Sequence, residues 1–158
     1  MLILLEGMDK VGKSTVATHF VNTQDFDYIH MSAPDKTLSS EQYFKFNCDL
    51  IDSTAGKNVV IDRTWFGELI WPQIYNRDAK LAANRIFQLQ QRASELHSFI
   101  LPIYMYDANI AAHQQRLRDY KEPSYDYEKV AAIYKAVMQN HNFSFLTFPE
   151  AEALGWTK

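Results

Sequence analysis

The sequence predicts an α/β chain in which a parallel sheet is covered by helices on both faces. Three observations carry that prediction. Short apolar runs alternate with longer stretches of helical period along the 158 residues, as expected of strand–helix units feeding a parallel sheet. Val59-Val60-Ile61 and Ile103-Tyr104-Met105-Tyr106 are apolar without interruption, which suits strands buried on both sides. The first run, Leu2-Ile3-Leu4-Leu5, leads into Gly7-Met8-Asp9-Lys10-Val11-Gly12-Lys13-Ser14. That segment fits G-x-x-x-x-G-K-[ST], a loop between strand and helix whose backbone N–H groups cradle phosphates.

Taken in order, strands are expected over 2–6, 27–31, 58–62, 99–106 and 143–148, and helices over 13–23, 40–54, 79–98, 109–118 and 125–140. Val16, Ala17 and Phe20 give the first helix one apolar face. The helix at 79–98 has the clearest period, with Leu81, Ile86, Leu89, Ala93 and Leu96 recurring at helical spacing. Pro102 has no N–H to give, so it is expected to sit before its strand's ladder begins. No repeat, low-complexity segment or linker divides the chain, and its length suits a single domain spanning 1–158.

Composition narrows the functional classes. Hydrophobic residues make up 47%, enough for a core, and the net charge of −3 argues against nucleic acid as a partner. No stretch approaches the ~20 apolar residues of a membrane span. The opening apolar run is too short for a signal peptide and no basic residue precedes it, so nothing removable is expected ahead of the fold. The single cysteine, Cys48, rules out an internal disulfide and fits a reducing cytoplasm. The five histidines show neither H-x-x-x-H nor a cysteine–histidine cluster, so zinc is not expected.

Ligands of open α/β sheets bind beyond the carboxyl ends of the strands, and charged residues gather there. In the loop, Lys13 is placed to reach the β- and γ-phosphates of ATP and the Ser14 hydroxyl to ligate Mg²⁺. Amides from Lys10, Val11, Gly12, Lys13, Ser14 and Thr15 add fixed positive charge at a helix start. Asp62 ends the third strand, either as a metal or substrate ligand or as a cap on the following turn. Arg63 beside it is read as a clamp on a substrate phosphate, or as a surface ion pair. Arg116, Arg118 and Lys121 precede Pro123. They form either a cationic lid over the transferred phosphoryl, about 116–125, or a solvated helix end. Tyr43, Phe44, Phe46, Trp65, Phe66 and Trp71 flank the second and third strand ends, where a planar base could stack.

These segments resemble the thymidylate kinase branch of the nucleoside monophosphate kinases, and most of all its short, phage-type deoxynucleotide kinases. Glu6-Gly7-Met8-Asp9-Lys10-Val11-Gly12-Lys13-Ser14-Thr15 is similar to that family's E-G-x-D-x-x-G-K-[ST]-T. Val59-Val60-Ile61-Asp62-Arg63 looks like its strand ending in Asp-Arg, and Tyr104-Met105-Tyr106-Asp107 with Arg116 and Arg118 looks like its fourth strand and lid helix. The resemblance implies a three-layer P-loop kinase fold with five parallel strands in the order 2-3-1-4-5. It also implies ATP and Mg²⁺ as cofactors, a place in nucleotide biosynthesis, and a homodimer as an option.

Site roles follow from the same resemblance. Gly7, Asp9, Lys10, Val11, Gly12, Lys13, Ser14, Thr15 and Arg116 would hold ATP, with Arg116 near the adenine. Lys13, Lys10, Arg116 and Arg118 would be catalytic, and Ser14 with Asp62 would hold the metal. Asp9, Lys36, Phe44, Asp62, Arg63, Trp65 and Glu68 would meet the acceptor, with Arg63 gripping its phosphate. The chain departs from the family in a short substrate-binding segment, about 32–57. There the usual Pro-x-Arg reads Pro34-Asp35-Lys36, and Thr64 stands where an aromatic is usual.

The expected reaction is therefore transfer from ATP to a deoxynucleoside monophosphate, dTMP or a broader set. A deoxynucleoside kinase, or another small-molecule kinase, would need a carboxylate base near the second strand's end, which reads His30-Met31-Ser32-Ala33; Glu6 could serve but occurs in the loops of both families and does not discriminate. A GTPase would carry N-K-x-D, which is absent. A polynucleotide kinase would want a basic channel, which the charge disfavours.

Overall fold

The computed structural model describes residues 1–122 and 125–158. Five parallel strands, β1 (Leu2–Glu6), β2 (Asp27–His30), β3 (Val59–Asp62), β4 (Ile100–Tyr106) and β5 (Ser144–Thr147), form one sheet in the order β2-β3-β1-β4-β5. This is the expected topology. β1 is central, and all five of its residues are buried, as are all four of β3. Of the edge strands, β2 is mostly exposed and β5 mostly half-buried, so their sequences lack the continuous apolar runs of the central strands.

The helices are α1 (Lys13–Gln24), α2 (Ser40–Ser53), α3 (Trp71–Tyr75), α4 (Ala83–Leu96), α5 (Ile110–Asp119), α6 (Tyr127–Asn140) and α7 (Phe148–Ala153). Most begin with a side-chain cap. Ser39 and Gln42 form a capping box on α2, Asn109 caps α5, Asp126 caps α6, and Thr147 with Glu150 boxes α7. α1 differs. Its N-cap is Gly12 in a left-handed conformation with no capping side chain, so its first N–H groups stay available to a ligand.

Three expectations need correction. The helix expected from residue 79 begins at Ala83, because the Lys80 N–H is taken by Glu68 at 2.5 Å and its ammonium reaches the Leu38 carbonyl. Leu81 is buried all the same. Pro102 lies inside β4, in register with Leu4 of β1. It is tolerated because β5 joins β4 only from Ile103 onward, leaving one side of the strand without a ladder at that point. Finally, a 3-10 helix (Trp65–Leu69), α3 and α7 were not expected from the sequence. Each has five or six residues, too few to show a period. Among the described residues no helix is long and apolar enough to cross a membrane.

Candidate active site

The loop between β1 and α1 is shaped by two close approaches. Gly7 has φ of +144°, and a Cβ there would stand 2.2 Å from the Met105 carbonyl oxygen of β4. Gly12 has φ of +98°, and its Cβ would fall 2.3 Å from the Phe148 ring of α7. Both positions exclude a side chain on two independent grounds. Within the loop the buried Lys13 ammonium donates to the Gly7 carbonyl at 2.9 Å and the Met8 carbonyl at 2.7 Å. Burial pulls its pKa below the ordinary lysine value, against the opposing pull of Asp62 and Asp9.

A polar cavity of about 460 Å³ opens over this loop, lined by Asp9, Lys10, Gly12, Lys13, Ser14 and Thr15 from below and by His30, Asp62, Arg63 and Arg116 around it. Asp62 is almost completely buried. Its Oδ2 takes hydrogen bonds from the Tyr28 hydroxyl at 3.0 Å and His30 Nδ1 at 3.2 Å, while its Oδ1 is buried with no partner among the described residues. Burial and the Asp62 charge push the Tyr28 phenol up to about 12, so it stays a donor. Asp62 and Ser14 line the same cavity, and a buried carboxylate oxygen without a partner beside a hydroxyl fits a divalent cation that takes its remaining ligands from phosphate and water.

A second cavity adjoins the first, with a volume of about 170 Å³. Met31, Pro34, Tyr43, Trp71 and Tyr75 give it apolar and aromatic walls, and Glu6, Glu68 and Arg77 supply charge. Asp9 and Arg63 line both cavities and pair with each other through Arg63 Nη2 and Asp9 Oδ1. Arg63 holds a left-handed φ of 62°, anchored by its N–H on the Leu5 carbonyl at 3.0 Å. A third cavity, about 590 Å³, continues from the loop past Tyr106, Asp107, Asn109 and Arg116 to Thr147, Phe148 and Pro149. Arg116 is held there by the Asp107 carboxylate.

Glu6 ends β1 at the base of the second cavity, almost wholly buried. One oxygen accepts the Thr64 N–H at 2.6 Å and hydroxyl at 2.7 Å, and the other faces the Tyr134 hydroxyl at 3.4 Å. Burial raises its pKa, more than Thr64 and Lys13 lower it. Glu68 is also buried. It is gripped by both Arg77 terminal nitrogens, at 2.7 and 3.3 Å, so the pair presents a fixed charged wall to the cavity.

The structure thus brings Asp9, Lys10, Val11, Gly12, Lys13, Ser14, Thr15, Asp62, Arg63, Glu68 and Arg116 around three adjoining cavities, with Gly7 opening the loop against Met105. Four residues expected there lie elsewhere. Trp65 is completely buried at the start of the 3-10 helix, stacked on Phe66, and presents no surface to a base. Phe44 lies under the Arg85 guanidinium, 4.1 Å away, while its helix neighbour Tyr43 faces the cavity. Lys36 projects into solvent because Asp35 turns the chain by accepting the Thr37 N–H and hydroxyl. Arg118 is on the exposed face of α5, bonded to Gln115. Of the lid expected over 116–125, Pro123 and Ser124 lie outside the described residues. The stretch before them touches the loop, with Lys10 3.4 Å from Glu122 and its ammonium 4.2 Å from the centre of the Tyr120 ring. Tyr43 and Trp71, two of the aromatics singled out as stacking candidates, line the second cavity, while Tyr75 and Arg77 are wall residues with no motif to announce them.

No protein-family model matches the chain, and no curated protein matches it. Solved structures do. The YorR protein of Bacillus subtilis, in complex with phosphorylated GDP, is similar at a TM-score of 0.74 and 22% identity, over 94% of this chain and 85% of that one. Polyphosphate kinase 2 of Arthrobacter aurescens TC1 matches at 0.66 and 17% identity, over 99% of this chain and 62% of the other. Deoxyadenosine kinase of M. mycoides with bound dCTP matches at 0.51 and 18% identity, over 92% and 88%. At these identities the likeness establishes the fold, which is that of the P-loop kinases.

Proposed function

We propose that this protein transfers the γ-phosphoryl group of ATP to the phosphate of a nucleoside 5′-monophosphate, a deoxynucleotide such as dTMP or a broader set. The observation that carries this reading is the shared wall of Asp9 and Arg63 between a polar phosphate cavity and an aromatic one. An acceptor with an apolar planar base at one end and a phosphate at the other matches that pairing, its phosphate meeting Arg63 and its base lying among Tyr43, Trp71 and Tyr75. The donor would lie along the loop, with its adenine in the cavity between Arg116 and Pro149.

Such a transfer needs little covalent help from the protein. The nucleophile is a phosphate oxygen that is already anionic, so no general base is required. Lys13, the loop amides and Arg63 neutralise charge and hold donor and acceptor in line. Ser14 and Asp62 would hold Mg²⁺, which neutralises and orients the donor phosphates when bound. Closure of the segment after α5, through the contacts of Lys10 with Tyr120 and Glu122, would exclude water from the reacting groups.

A second reading has one observation in its favour. Glu6 lies in the aromatic cavity with its pKa raised by burial, and a buried carboxylate is what deprotonation of a sugar hydroxyl requires. That would make the acceptor a nucleoside. Consumption of ATP measured with Mg²⁺ against deoxynucleoside monophosphates, ribonucleoside monophosphates and nucleosides separates the two. Turnover of monophosphates is expected; turnover of nucleosides alone would overturn the first reading.

A further inference from the structure

The loop's first three carbonyls are held from two directions. Lys13 holds Gly7 and Met8 from inside the loop. The Asp9 carbonyl is held from behind, by His113 of α5, whose Nε2 lies 2.6 Å from it. His113 is completely buried. Its Nδ1 lies 2.5 Å from the hydroxyl of Tyr127, the first residue of α6, and the two rings meet edge to face at 5.0 Å. A carbonyl can only accept, so Nε2 carries the proton. Burial disfavours the charged imidazole, so Nδ1 is left as an acceptor for the Tyr127 hydroxyl.

We infer that His113 is a positioning residue for phosphate binding: it fixes the Asp9–Lys10 peptide so that the Lys10 N–H faces the donor phosphates. This rests on the proposed use of the loop. In a planar trans peptide the C=O and the following N–H point in opposite directions. His113 lines a cavity behind the loop, about 350 Å³, together with Met8, Val11 and Tyr127. Lys10 lines the polar cavity in front. Pulling the Asp9 carbonyl backward therefore turns the Lys10 amide forward. The left-handed φ of 61° at Lys10 places consecutive amides in an anion-binding concavity. Without the imidazole that peptide is free to rotate, and one aligned donor is lost. The same tie links the loop to α5, three residues before Arg116, so donor-phosphate alignment and Arg116 position depend on one helix.

Two measurements on the unaltered protein test this without relying on turnover. Nitrogen-15 spectra should show His113 as the neutral Nε2–H tautomer, and titration with ADP and Mg²⁺ should move the Lys10 amide proton downfield. The Nδ1–H tautomer, or an unmoved Lys10 amide in a complex that forms, would overturn the proposal. His113→Leu should lower kcat about tenfold to a hundredfold and weaken ADP, the scale of one lost donor to a charged oxygen. His113→Gln, which can still donate to the carbonyl, should restore most of both. A folded His113→Leu protein with kcat and ADP affinity within about twofold of the parent, or a His113→Gln protein no better than it, would refute the role. If no acceptor is ever turned over, the proposed function falls alone, because the ADP affinity and the amide shift still report on His113.

Discussion

The proposed donor and acceptor halves of this site are built from different materials. On the donor side a ligand would meet backbone: amides at an uncapped helix start, framed by two glycines pressed against Met105 and Phe148. On the acceptor side it would meet side chains, collected from β2's exit, α2, the 3-10 helix and α3. A backbone site constrains the sequence tightly, because only glycine fits at Gly7 and Gly12. A side-chain wall can be assembled from many residue types, because size and flatness are all that stacking demands. The first half therefore carries a recognisable motif and the second does not.

Substitutions on either side can break or sharpen this contrast. Lys13→Ala should have the largest effect, lowering kcat by about a thousandfold or more in an ATP-consumption assay while the fold survives. Retained turnover would remove the loop from the chemistry. Arg63→Ala, on the shared wall, should raise the acceptor's KM about tenfold to a hundredfold with ATP affinity nearly unchanged. Loss of ATP binding with acceptor binding intact would move Arg63 to the donor half.

Glu6→Gln should act mainly on stability. Burial raises the Glu6 pKa above the ordinary 4.5, so the folded chain binds that proton more tightly than the unfolded one. Stability contributed by this group is thus present at low pH and lost as pH rises from the ordinary glutamate value through the raised native one. The amide keeps an acceptor for Thr64 and carries no charge. It should flatten that slope in denaturant melts and raise Tm by a few degrees, about the shift of 1 kcal/mol, above the window. Monophosphate turnover should survive it; abolished nucleoside turnover would instead mark Glu6 as a base. Arg118→Ala, outside all three cavities, should leave kcat and both KM values within about twofold. A larger loss would bring it into the closed site.

How far the sequence could be read follows the same division. The central strands and the loop were legible because continuous apolar runs and glycine geometry leave a local trace, whereas the strand order followed only from the family resemblance. Trp65 falls in a five-residue 3-10 helix too short to show which way its ring faces, and Phe44 lies on α2 one residue from Tyr43, which takes the cavity-facing position instead. Tyr43, Trp71, Tyr75 and Arg77 converge only in three dimensions, 34 residues apart at the extremes. Thr147-Phe148-Pro149-Glu150 carries a local signal for α7 in the sequence itself, a capping box with proline in the first turn.

The left-handed backbone at Lys10 and Arg63 has a consequence for anyone evolving this chain in the laboratory. A non-glycine residue in that conformation costs on the order of 1 kcal/mol, which glycine would recover. A library selected for heat resistance alone should therefore enrich glycine at these two positions. Its most robust members would be the ones least able to bind an acceptor, and a screen meant to improve the protein would disarm it.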